Sequence, residues 1–111
     1  MESQYFVSQK RADEILKCIN TIKIRSRSGE IEVIVTGSCA VFLMLFELGQ
    51  YELASLIIPN DIDLLVITPE KKISIQGLVI EIDNAVLSQG DDKSVTFVLD
   101  SSYFNKIDIT T

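Results

Sequence analysis

Apolar residues three and four positions apart, Ala12, Ile15, Leu16, Ile19 and Ile22, predict an amphipathic helix over about residues 9–23 with one core face. The "SRSGE" segment, 26–30, reads as a turn. Residues 31–35 are short and rich in β-branched side chains, which suits a strand ended by Gly37, with Ser38 as N-cap of the next helix. That helix, 39–48, is apolar on nearly every side, so burial all round is expected, with Gly49 at the C′ position. Residues 51–57 add a helical turn or two before Pro59, and 64–67 form a second buried strand closed by "TPEKK", 68–72. Further strands are expected at 73–82, 95–99 and 105–110, with "SQGDDKS", 88–94, as a polar hairpin or loop. Helix, strand, helix and then several strands predict an α/β (α+β) domain with one mixed sheet packed on helices, spanning 1–111.

Composition narrows the function classes. The chain of 111 residues is 47% hydrophobic and 23% charged, an ordinary globular balance with room for one core. A net charge of −6 without a basic block argues against a general grip on nucleic-acid phosphates. Lys23, Arg25 and Arg27 are the local exception, and read as a solvated loop. Cys18 and Cys39 form no motif and are expected to be reduced thiols. The first 25 residues carry charges throughout and lack the apolar core of a secretory signal, so a cytoplasmic location is expected. The apolar run 33–48 is about 16 residues long, short of the ~20 that a bilayer needs. With no histidine, Ser-His-Asp and Cys-His hydrolase mechanisms are excluded.

The chemistry concentrates in two places. In a strand, residues i and i+2 point the same way, so Asp61 and Asp63 project side by side from "NDIDLLVI". Paired carboxylates repel unless a cation sits between them, and Mg²⁺ takes one or two carboxylates together with substrate phosphates. Upstream, a strand running into Gly37-Ser38 at a helix N-terminus offers backbone N–H groups and a hydroxyl to a phosphate.

A strand–Gly–Ser–helix followed by an Asp-x-Asp strand resembles the polymerase-β-like nucleotidyltransferase superfamily. "VTGSCAVFLM" is similar to its hydrophobic-Gly-[Gly/Ser] turn, and "NDIDLLVI" to its Asp-hydrophobic-Asp strand. The third carboxylate of that family, set between hydrophobic residues on a later strand, corresponds to Asp108 in "KIDIT", with Glu81 in "VIEID" as its rival. The long spacing from Gly37 to Asp61 resembles antitoxin-type and poly(A)-polymerase-type members. Thr36 stands where the family has an apolar residue, and the basic residue that commonly follows Gly-Ser is missing.

The resemblance implies transfer of a nucleoside monophosphate from a nucleoside triphosphate to an acceptor hydroxyl on RNA, a small molecule or a protein. It implies Mg²⁺ or Mn²⁺ held by Asp61, Asp63 and Asp108, and phosphates bound at Gly37 and Ser38. The three carboxyls are expected within about 4–6 Å on adjacent strands, the reach at which like charges perturb one another. The alternative is a noncatalytic module of the same fold, acting as a subunit or an antitoxin-like binder. Because the sequence stops three residues after Asp108, a second copy, a partner protein or a longer C-terminal region is expected to cover the cleft.

Overall fold

The computed structural model describes residues 4–27, 29–57, 59–68, 74–101 and 103–111. Alternation decides the central strand. In β3 (Asp61–Ile67) Ile62, Leu64 and Val66 are buried and the residues between them are not. The strand therefore presents an apolar face to the core and a face bearing Asp61, Asp63, Leu65 and Ile67 to the other side.

The remaining strands are β1 (Lys23–Ser26), β2 (Glu32–Thr36), β4 (Leu78–Glu81), β5 (Ala85–Gly90), β6 (Ser94–Leu99) and β7 (Lys106–Thr110). Five of them form a mixed sheet in the order β2-β3-β7-β6-β5, in which the β3–β7 pair alone is parallel. The helices α1 (Gln4–Thr21), α2 (Gly37–Glu47) and α3 (Tyr51–Leu56) pack together, and α2 lies against β2 and β3. Phe42 and Cys39 of α2, Ala12 and Ile15 of α1 and Ala54 of α3 join Ile62, Leu64, Ile107 and Ile109 in one core. Burying each large aliphatic side chain contributes about 1.5–3 kcal/mol. Buried Ser8 is satisfied by donating to the Tyr51 carbonyl at 3.2 Å, which ties α1 to α3.

The α+β class with a mixed sheet is observed, but several expected details are corrected. The first helix is already formed at Gln4, earlier than its core face suggested, and Leu16 is 47% exposed because Ala12 and Ile15 occupy the packed line. The second helix begins at Gly37, so its N-cap is Thr36 and not Ser38, and no side chain caps it. It is not buried all round: Cys39 and Phe42 are, while Val41 and Met44 are exposed because only one side meets the sheet. The strand expected at 64–67 starts three residues earlier and includes both aspartates. Of the strand expected at 73–82, residues 75–77 form a 3₁₀ turn, 78–81 the strand, and Ile73 lies outside the described residues, as do 69–72 of the expected closing turn.

Two strands have no counterpart in the sequence reading. Lys23 and Arg25 belong to β1 and not to a loop; β1 pairs with β4 as a separate two-stranded sheet, where Arg25 meets Glu81 at 3.2 Å. Both ends of that ion pair are exposed, so it contributes little to stability. β5 pairs with β6 through a bulge between Leu87 and Gln89. Their hairpin closes where Asp91 Oδ1 accepts the N–H groups of Lys93 and Ser94, at 2.8 and 2.9 Å, which holds its carboxyl below the usual range.

Gly49 ends α2 in the left-handed region at φ +77°, as its C′ position predicts, and a Cβ added there meets nothing within 4 Å. Gly49→Ala is therefore expected to cost only the backbone penalty, about 1 kcal/mol in a chemical-denaturation midpoint.

Candidate functional site

Register brings two of the three expected carboxylates face to face. β3 and β7 run parallel with Asp63 opposite Asp108, Ile62 opposite Ile107 and Leu64 opposite Ile109. The isoleucines and leucine go to the core, so both aspartates must project from the open face, on strands about 4.8 Å apart. They are close enough for the charge of Asp108 to bear on the Asp63 carboxyl. Asp61 shares that face but sits two residues up β3, opposite Lys106. Among the described residues no three His, Cys, Asp or Glu side chains are grouped as ligands for one metal ion. The site is thus a close Asp63–Asp108 pair with Asp61 as a more distant neighbour. Glu81 lies on β4 in the separate two-stranded sheet, paired to Arg25, and takes no place beside Asp63.

The pair continues across the sheet. Thr36 stands opposite Asp63 on β2, and Thr96 opposite Asp108 on β6. The row Thr36, Asp63, Asp108, Thr96 is a hydroxyl, two carboxyls and a hydroxyl on one face. Thr96 Oγ1 donates to Asp108 Oδ1 at 2.6 Å, and Thr36 Oγ1 donates to the Asp63 backbone carbonyl at 3.4 Å. The sequence marks Thr36 only as a departure from the family pattern and gives no signal at Thr96, since a threonine in a strand is ordinary; only the register shows the neighbour of each.

Gly37 closes the other side of Asp63. At φ +68° it turns the chain from β2 into α2, and a Cβ built on it would lie 2.5 Å from Asp63 Oδ2. Backbone thus packs directly onto the carboxylate where the N-terminal end of α2 begins. The first N–H groups of a helix have no intrahelical acceptor and carry partial positive charge. Ser38 is exposed in the same first turn.

Burial pushes the Asp63 carboxyl above its ordinary value, and the charges of Asp108 and then Asp61, with the hydrogen bond to Asp108, push it the same way. Burial, with the nearby Asp63, raises the Cys39 thiol to about 11, and burial raises Cys18 as well. Both cysteines are free thiols, as the sequence suggested, and neither is activated as a nucleophile.

No helix among the described residues is long and apolar enough to cross a membrane. Comparison with protein-family models, with curated proteins and with solved structures gives no match.

Proposed function

We propose that this domain is a divalent-cation-dependent nucleotidyltransferase that moves a nucleoside monophosphate from a nucleoside triphosphate to an acceptor hydroxyl. The observation that carries the proposal is the packing of Gly37 at the start of α2 onto Asp63, with Asp108 directly opposite on the parallel neighbour strand. A phosphate acceptor and a carboxylate pair then share one spot, and nucleotidyl transfer needs both.

The donor set fits a hard cation. Asp63 and Asp108 offer only carboxylate oxygens, and the raised Asp63 is a group whose charge is disfavoured until something positive stands beside it. Mg²⁺ or Mn²⁺ would be held by Asp63 and Asp108, with Asp61 two residues away on the same face of β3 as a further carboxylate, and phosphate oxygens would complete the shell. Such an ion supplies charge neutralisation on the triphosphate and orients it for in-line displacement.

The chain's own residues do the rest. The α2 N–H groups at Gly37 and Ser38 bind phosphate oxygens. Asp108 accepts the proton of the acceptor hydroxyl as its oxygen bonds to the α-phosphorus, and the bond to the bridging oxygen breaks to release pyrophosphate. The acceptor is RNA, a small molecule or a protein, and the reaction runs in the cytoplasm, where triphosphates are supplied.

A noncatalytic module is the second reading, favoured by the lack of a three-acid ligand group among the described residues. It includes an antitoxin-like subunit or a homo-oligomer. Incubation with labelled ATP, GTP, CTP or UTP, Mg²⁺ or Mn²⁺, and a mixed RNA and protein acceptor pool separates the two. Transfer of label that stops on chelation, and is absent in Asp108→Asn, is expected. No labelling with any nucleotide favours the second reading, and labelling that survives chelation overturns the cation dependence.

A further inference from the structure

We propose that Thr96 is a positioning residue for the cation site: its hydroxyl holds the Asp108 carboxylate in the orientation that binds a divalent ion with Asp63. The inference rests on the nucleotidyltransferase reading, which assigns Asp108 to that ion, and adds a residue from a strand that contributes no carboxylate.

Thr96 faces Asp108 across the antiparallel β6–β7 pair, while Asp63 faces Asp108 from the opposite side on β3. Asp108 is thus flanked by a donor on one strand and an acid on the other. The 2.6 Å bond from Thr96 Oγ1 to Asp108 Oδ1 lies in the short range of hydroxyl-to-carboxylate bonds, which are stronger than neutral ones. A threonine hydroxyl has one proton to donate, and here it is spent on this oxygen. Left free, the Asp108 carboxyl would turn about its terminal torsion, which has broad and shallow wells. Holding one oxygen removes that freedom before an ion arrives, so less entropy is lost on binding. β-Branching makes Thr96 itself stiff, which makes it a firm anchor.

The hydroxyl, not the packing, is what position 96 supplies. Thr96 borders a cavity of about 110 Å³ otherwise lined by Gln89, Gly90, Asp91 and Ser94. A methyl in place of the hydroxyl would stand 2.6 Å from Asp108 Oδ1, closer than carbon and oxygen pack, so alanine removes the hydroxyl without crowding the carboxylate, whereas valine keeps the β-branched shape that a strand favours but presses on that oxygen.

Manganese affinity of the full chain, read by electron paramagnetic resonance of free Mn²⁺, tests the assignment. Thr96→Ala is expected to weaken Mn²⁺ binding by about 10–100-fold, the usual cost of losing a group that orients a metal ligand, in a chain that still folds and melts cooperatively. Thr96→Ser, which keeps the hydroxyl, is expected to bind as the native chain does. If the alanine variant fails to fold, Thr96→Val gives a second hydroxyl-free comparison. Native affinity in both hydroxyl-free variants overturns the role of Thr96 and leaves the cation site standing. A native chain that binds no Mn²⁺ at millimolar concentration overturns the cation site and this role with it.

Discussion

Asp63→Asn is expected to melt higher than the native chain at neutral pH while losing its nucleotidyl-transfer activity. Asp63 is held above its ordinary value by burial, by Asp108 and by Asp61. An acid with a raised folded-state value favours folding fully when protonated, below the ordinary aspartate value of 3.8, and that contribution is lost as pH rises through the raised value. Native stability from this site therefore falls towards neutrality. Asparagine is neutral at every pH and nearly the same size. The melting advantage of the variant should appear at neutral pH and vanish as the pH falls below 3.8. Activity should drop by at least the roughly 10²–10³-fold that a lost electrostatic stabiliser costs. Thermal scans over that pH range, paired with the labelling assay, check both halves. A variant less stable than the native chain at neutral pH would contradict the assigned strain, and retained activity would contradict the role.

Gly37→Ala carries the other large effect, in the opposite direction for stability. The backbone at φ +68° costs a non-glycine residue about 1–2 kcal/mol, and the added Cβ meets Asp63 Oδ2 at 2.5 Å, so the carboxylate must move. Overpacking of this kind adds about 1–3 kcal/mol, and a total of about 3 kcal/mol is expected in urea unfolding. The two parts separate in a double-mutant cycle. Truncation to Asp63→Ala removes the carboxyl but not the φ, so it should recover only the overlap. Additive losses would show that Gly37 and Asp63 do not touch. The Gly37→Ala protein should also bind nucleoside triphosphate poorly, because the displaced carboxylate is one of the two proposed cation ligands.

The difference between what could be read along the chain and what could not follows the kind of signal each residue leaves. Ile62, Leu64 and Val66 alternate with polar or half-buried neighbours, so the strand and the shared face of Asp61 and Asp63 were legible, though the strand start was placed three residues late. Asp108, between two isoleucines, was legible as an acid on a strand, and the parallel register then set it against Asp63. The apolar run of α2 misled, because hydrophobicity all round signals burial all round, whereas a helix packed on one side of a sheet leaves Val41 and Met44 in solvent. β5 could not be seen: five of its six residues are exposed, so no buried period marks it, and its pairing with β6 comes from the hairpin turn at Asp91. β1 is four residues of which only Ile24 is apolar, and its partner β4 is far along the chain. Thr96 was invisible for a related reason, since its meaning comes from the residue opposite it.

Nucleotidyl transfer at this site requires a divalent ion between Asp63 and Asp108, and an anomalous difference map from a crystal grown in Mn²⁺ measures that directly. A peak coordinated by both carboxylates, beside Gly37 at the start of α2, is expected. An ordered, unbridged Asp63–Asp108 pair at millimolar Mn²⁺, or a peak elsewhere with none at this pair, would contradict it.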